Sequence, residues 1–447
     1  MGYIVYFNVV KSKEIINSPY NTRQDTFADR VVRGSILDKD GNVLAETQVA
    51  EDKSETRVYP DGDLFAHVVG FADKGKAGLE SVENFSLLTS NAFFIERLVK
   101  EFKGEKNIGD NIITTLDSNL QQAAYDALGD NKGAVVVMEA STGKILSMVS
   151  KPTFDPNTVS TDWDYLNSEE SGSVLLNRAT QGSYAPGSTF KIITTLEFMR
   201  QNPEFSSYAY DCNGEITQDG TTIHCFDGTA HGSEDLLSSF ANSCNTSFAN
   251  IGLQLNKTSY ANTAKQLLFN QKLPCPLLFT KSSFVIDKNS NSAEMMMTAM
   301  GQGETSVSPY HMALITAAIA NGGKLMTPYL VDSVTNYSGT QVSKTMPKAY
   351  GTLMTASEAS QLSIYMQAVV NQGTATALSG ESYSVAGKTG TAEYSSDKEK
   401  SHSWFVGFSN VENPELVISV IVEGSDGNVG AKAVPIAKAV LDAYYYN

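Results

Sequence analysis

Apolar positions along this chain fall into two regimes that meet near residue 110. Before that point they come in short runs broken by polar turns. Residues 33–45 read as a β-hairpin, because Asp40-Gly41 stands between two apolar runs and is a strong turn signal. Residues 75–80 (GKAGLE) lead into a mixed helical stretch that ends near Lys103. After Gly109 the elements lengthen. Leu120, Ala123, Ala124 and Leu128 share one helical face, and Asp117 or Ser118 can cap a helix over 117–128. Residues 133–139 (GAVVVME) form a continuous apolar run, as a strand buried on both faces requires. Ser141-Thr142-Gly143 is a turn, and residues 144–149 return as its partner strand.

Further on, helices are expected over 188–200, 309–320, 357–370 and 431–445. The second has Ser308 as cap, Pro309 in the first turn and Asn321-Gly322-Gly323 as a stop. Strands are expected over 403–408 and 416–422. Helices and antiparallel strands interleave without a regular βαβ repeat, so the fold class is α+β. Two parts follow: an irregular, β-rich amino-terminal module over 1–110 and a larger domain over 111–447.

Composition narrows the class. The 447 residues are 41% hydrophobic and 18% charged, which suits a globular protein of two or three domains. A formal charge of −16 disfavours nucleic acid and anionic lipid as partners. No run of about 20 apolar residues is present to span a bilayer. Residues 1–10 (MGYIVYFNVV), followed by Lys11 and Lys13, read either as an ordinary first element or as the tail of an anchor. Of four cysteines, none forms a C-x-x-C pair, which argues against structural zinc. Cys212 and Cys225 bracket a polar stretch with Gly214 and Gly220. A hairpin closed by a disulfide and a pair of free thiols both remain open.

The chemistry resides in three short motifs. S-x-x-K occurs three times, at Ser141, Ser188 and Ser395. The first lies in a hairpin turn and the third in a charged loop. Ser188-Thr189-Phe190-Lys191 opens an apolar helix directly after Pro186-Gly187. There Lys191 shares a face with Ser188, and Gly187 lets other backbone approach closely. A serine hydroxyl attacks only once a base takes its proton, and lysine serves if burial or a nearby cation lowers its pKa. Lys388 can be that cation. In Ser243-Cys244-Asn245, Ser243 can relay a proton and Asn245 can donate to a substrate carbonyl. Lys388-Thr389-Gly390 lies in a small-residue strand edge onto which an extended peptide can lie. Its lysine and threonine can hold a carboxylate, and the N–H groups of Ser188 and Thr391 can form an oxyanion hole. Taken singly, each motif is equally a helix cap or a glycine-rich strand.

The three motifs in this order resemble those of penicillin-binding transpeptidases. Residues 133–149, Gly301-Gln302-Gly303, 371–375 (NQGTA) and 404–408 (WFVGF) are similar to that family's framework. Arg33-Gly34-Ser35-Ile36-Leu37-Asp38 and Gly78-Leu79-Glu80 resemble the amino-terminal module of its monofunctional class B members. That module is short here, and Cys244 stands at the middle of the second motif.

The resemblance implies a penicillin-binding/β-lactamase-like domain, an antiparallel sheet flanked by helices. It implies catalytic Ser188, Lys191, Ser243 and Lys388, with substrate bound by Asn245, Thr389, Gly390 and Thr391. Peptidoglycan stem peptides ending in D-Ala-D-Ala would be substrates and β-lactams inhibitors. No metal or organic cofactor is implied. Cell-wall synthesis proteins are potential partners of the amino-terminal module. A single anchor would precede the chain and place it on the outer face of the bacterial membrane, where a Cys212–Cys225 disulfide is permitted. Rival readings are a D,D-carboxypeptidase, a β-lactamase and a non-catalytic sensor or scaffold. Against the lactamase, no E-x-x-L-N stretch lies between Asn245 and Lys388 to activate a deacylating water.

Overall fold

The computed structural model describes residues 30–393, 401–424 and 432–446. The apolar start at 1–10 and the third S-x-x-K at Ser395 lie outside the described residues. Among the described residues, no helix is long and apolar enough to cross a membrane.

The centre of the molecule is a five-stranded antiparallel sheet. Its order is Val385–Glu393, Ser401–Ser409, Leu416–Val422, Gly133–Glu139 and Ile145–Lys151. Every residue of Leu416–Val422 is buried, so both sheet faces are covered. The helix Pro309–Ala320 packs on this sheet, and all its residues but the last are buried. A helix apolar on all sides belongs in a core. Ser308 Oγ caps it by accepting from His311 N at 3.2 Å. Its stop is as expected: Gly322 and Gly323 have φ of +60° and +89°, and Gly323 N donates to Ala318 O. Helices Ser118–Leu128 and Ala433–Tyr445 pack on one another and against the sheet. Helix Ala356–Gln372 runs beside the Val385–Glu393 strand and starts at a capping box made by Thr355 and Glu358.

The amino-terminal hairpin forms around its predicted turn. Gly41 takes φ +90°, and Asp38 Oδ1 accepts the N–H groups of Asp40 and Asn42 at 2.8 Å each. Arg33 and Glu80, from the two motifs noted there, meet: Arg33 Nε and Arg57 Nε donate to the two buried carboxylate oxygens of Glu80 at 2.6 and 2.7 Å. Burial alone would push the Glu80 carboxyl up, but the two guanidiniums outweigh it and hold it below its usual value.

The two parts are not joined by a simple linker at residue 110. A six-stranded sheet runs in the order Gln341–Lys344, Val331–Thr335, Asn111–Thr114, Ile36–Leu37, Val43–Val49 and Glu55–Val58. It draws strands from both sides of that position. Asn111–Thr114 pairs in parallel with Ile36–Leu37 and antiparallel with Val331–Thr335. Short polar strands like Gln341–Lys344 carry little apolar signal, because every one of its residues is exposed.

Candidate active site

Three elements converge at the edge strand of the central sheet. Ser188 lies in a 3₁₀ turn, Gly187–Phe190, which continues as the α-helix Lys191–Gln201. The helix expected to begin at Ser188 therefore begins with a tighter turn. In a 3₁₀ turn residues i and i+3 eclipse, which keeps Lys191 on the side of Ser188. Gly187 has φ +53°, and a Cβ there would stand 2.6 Å from Thr391 O. On its other side, Gly187 N donates to Gly301 O at 2.9 Å, and a Cβ on Gly301 would stand 1.8 Å from Gly187 O. The turn that carries Ser188 is clamped between two backbones, and only glycine admits both contacts.

Lys191 is fully buried. Its Nζ donates to Ser243 O at 2.6 Å and Asn245 Oδ1 at 2.8 Å, with Ser243 Oγ at 3.2 Å. Lys388, also fully buried, donates from Nζ to Ser243 Oγ at 2.9 Å and to Thr389 O at 3.1 Å. One serine hydroxyl thus sits between two lysines from distant parts of the chain. Burial lowers the Lys191 ammonium to about 7, although Cys244, Cys225 and Glu234 pull the other way. Burial lowers Lys388 well below its ordinary value, and the Lys191 charge lowers it further. Two ammonium ions on one hydroxyl disfavour each other, so burial and mutual repulsion both favour a neutral lysine here. A neutral lysine has a lone pair and can take a proton.

Ser243 holds its position at a cost. It takes φ +58°, a left-handed conformation that a non-glycine residue adopts at about 1–2 kcal/mol. The strain is met by its neighbours. Cys244 caps the helix Asn245–Gln254 by accepting from Ser247 N, and Ser243 N and Cys244 N donate to Phe240 O and Ser239 O.

The Val385–Glu393 strand supplies the remaining wall. Because Thr391 O points at Gly187, the Thr391–Ser403 pair is one whose backbone groups face outward. In an antiparallel strand the N–H of such a residue lies on the same side as its C=O. The Thr391 N–H is therefore turned toward the Ser188 turn, as an oxyanion donor must be. Thr389 presents its hydroxyl to Thr374 Oγ1 at 2.5 Å. A Cβ on Gly390 would press on Thr189, Trp404 and Pro186 at 3.0–3.2 Å.

All eight residues predicted from the motifs stand on these three elements. Sequence reasoning gave no roles to Thr374, Gly301 or Trp404. Trp404 Nε1 donates to Ala185 O at 3.1 Å, which ties the strand beside the edge to the loop ahead of Ser188. The stretches NQGTA, GQG and WFVGF did mark these segments, but nothing in them shows which atoms they touch.

A second cluster lies behind Cys244. Cys212, Cys225 and Cys244 are buried, His231 is half-buried, and their ligand atoms all lie within 4.8 Å of one another. All four cysteines of the chain are free thiols. No C-x-x-C signals this group, because its members come from four separate segments.

A mixed fold with a serine, two buried lysines and an outward-facing edge strand defines a serine acyl-transfer enzyme. Residues 133–442 match the family model "Penicillin binding protein transpeptidase domain", and residues 33–112 match "Penicillin binding protein A dimerisation domain". The chain belongs to the penicillin-binding protein transpeptidase family. It is 33% identical over 419 residues to peptidoglycan D,D-transpeptidase PbpA of Mycolicibacterium smegmatis, covering 87% of this chain and 84% of that protein. Similar solved structures include penicillin-binding protein A of Mycobacterium tuberculosis as a ceftriaxone acyl-enzyme (30% identity, TM-score 0.85, 94% and 100% covered). Another is the D,D-transpeptidase domain of a peptidoglycan glycosyltransferase from Eggerthella lenta (32% identity, TM-score 0.83, 94% and 100% covered).

Proposed function

We propose that the protein is a peptidoglycan D,D-transpeptidase that works through an acyl-enzyme on Ser188. The single observation that carries this reading is the hydroxyl of Ser243 set between two buried lysines, Lys191 from the helix that Ser188 opens and Lys388 from the edge strand.

In this mechanism Lys191, neutral through burial, takes the Ser188 proton as Oγ attacks the penultimate D-Ala carbonyl of a stem peptide. The Ser188 and Thr391 N–H groups stabilise the oxyanion. Losing one such donor typically costs about 10²–10³ in rate. The proton passes through Ser243, kept in the relay by Lys388, to the departing amine, and D-Ala leaves. Asn245 orients the peptide, while Thr389 and Thr391 hold its carboxylate and backbone along the strand edge. An amine from a second stem peptide then attacks the ester and gives a proton to Lys191, which passes it to the Ser188 oxygen as the ester bond breaks, so that Ser188 is again a hydroxyl and Lys191 neutral. A β-lactam acylates the same oxygen but keeps its leaving group tethered.

The substrate is a cell-wall polymer, so we also infer that the site works outside the cytoplasmic membrane. A membrane anchor on the amino-terminal side and wall-synthesis partners on the amino-terminal module belong to the same reading. The test is intact mass after incubation with a labelled penicillin, followed by turnover of a D-Ala-D-Ala donor with an amine acceptor. We expect one adduct, absent from Ser188→Ala, and a transfer product. Undiminished labelling of Ser188→Ala would refute the assignment of the nucleophile. Release of D-Ala with water as the only acceptor would turn the reading to a carboxypeptidase.

A further inference from the structure

We propose that Cys212, Cys225, His231 and Cys244 bind one zinc ion, which fixes the Ser243–Asn245 segment from behind. Four ligands on one zinc, with Zn–S about 2.3 Å and Zn–N about 2.0–2.1 Å, stand about 3.7 Å apart between sulfurs and about 3.5 Å between sulfur and nitrogen. The Cys212–Cys225 and Cys225–Cys244 sulfurs are 3.7 Å apart, and Cys212 Sγ is 3.4 Å from His231 Nδ1. Three of the six edges therefore already match a zinc tetrahedron, and none of the six exceeds 4.8 Å. A disulfide needs sulfurs about 2.0 Å apart and would use only two of three equivalent thiols.

Outer groups suit bound thiolates. Thr246 Oγ1 donates toward Cys212 Sγ at 3.1 Å and lies 3.5 and 3.4 Å from the Cys225 and Cys244 sulfurs. Ser247 N donates to Cys244 Sγ at 3.4 Å. Such donors steady metal-bound sulfur and tune its charge.

The surrounding chain also needs a staple. Between Ala209 and Asp235 it forms only two-stranded sheets: Ala209–Cys212 with Gly232–Asp235, and Glu215–Gln218 with Thr221–His224. Most of its side chains are exposed, and its buried apolar groups are Cys212, Cys225 and Ile223. So small an excursion has too little core to hold itself, which is where structural metals occur. Four protein ligands leave no open position, so the ion is structural and takes no part in the chemistry. Its link to function is Cys244, whose two neighbours hold Lys191. The four residues are positioning residues for that pair.

The test begins with protein purified under reducing conditions without chelator. Elemental analysis should give close to one zinc per chain. Replacement by cobalt(II) should give the visible bands of a tetrahedral thiolate site. His231→Gln, a half-exposed change that spares the core, should weaken zinc by about tenfold or more against a chromophoric chelator, while Cys275→Ser should not. Stripping the metal should slow acylation by penicillin about tenfold or more, and zinc should restore it. Metal-free protein with four titratable thiols that gives no tetrahedral cobalt spectrum would overturn the site. So would a disulfide among the three cysteines in that protein, or unchanged zinc affinity in His231→Gln. An acylation rate indifferent to stripping would overturn the positioning role.

Discussion

Replacing Gly187 with alanine tests how closely the Ser188 turn must approach the edge strand. Gly187 sits at φ +53°, where an alanine costs about 1–2 kcal/mol. Its Cβ would also stand 2.6 Å from Thr391 O and 2.8 Å from Thr391 C. Both atoms are backbone, so no side chain can swing aside. Restoring ordinary contact moves the turn and the strand apart by roughly 1 Å, and a misplacement of that size costs about 10² in rate. The N–H groups proposed as oxyanion donors, those of Ser188 and Thr391, lie one on each side of this gap, so in that reading stabilisation of the transition state suffers first. Gly339→Ala separates backbone strain from collision: Gly339 has φ +85° and nothing within 4 Å of its missing Cβ. The assay is the second-order rate of acylation by a fluorescent penicillin, with thermal unfolding alongside. Gly339→Ala should lose about 1–2 kcal/mol of stability, and Gly187→Ala more than that because the collision adds to the strain. Only Gly187→Ala should lose acylation, by about 10²-fold. If Gly187→Ala acylates at the rate of Gly339→Ala, the close approach of turn and strand is not what positions the reacting oxygen.

Other expectations follow from the charges. Lys191 must be neutral to act, and burial sets its ammonium at about 7, so the acylation rate should climb as pH rises through about 7 and then level off. A rate flat from pH 5.5 to 8.5 would exclude Lys191 as the base. Ser243→Ala removes the hydroxyl between the lysines while leaving the Lys191 bond to Ser243 O. It should lower acylation by about 10²–10⁴-fold, the usual worth of a placed proton carrier, with little change in melting temperature. Glu80→Gln leaves the Arg33 and Arg57 guanidiniums without their buried carboxylate and should cost about 3–5 kcal/mol in urea unfolding at pH 7. The Glu80 carboxyl is held below its unfolded value near 4.5, so its contribution is fully present above that pH and is lost as pH falls through the folded value. The gap between wild type and variant should therefore close in acid. A gap that persists unchanged would assign the loss to packing rather than charge.

Much of this architecture was legible because its causes are local. The all-apolar pattern over 309–320, bounded by Ser308-Pro309 and Asn321-Gly322-Gly323, needs no partner to be read as a buried helix. Asp40-Gly41 dictates its own turn. The three motifs, in their order, name the chemistry. Where the reading stopped, the cause was distance along the chain. The strand Gln341–Lys344 has one apolar residue, the exposed Val342, and is recruited by pairing with Val331–Thr335. The helix start at Ser188 became a 3₁₀ turn because Gly187 is pinned between Thr391 and Gly301.

The sequence by itself determined which side chains this protein can bring to a reaction: a hydroxyl, two amines, an amide and a small-residue strand. It could not determine their state. A lysine is an ordinary cation until packing removes its water, and Lys191 and Lys388 lose theirs only when segments 52 and 145 residues from Ser243 close around it. The cysteines show the same division. Spacing along the chain argued against a metal, yet the fold brings the ligand atoms of three cysteines and a histidine within 4.8 Å of one another. Desolvation and convergence depend on packing between distant residues, and short-range sequence patterns do not record them.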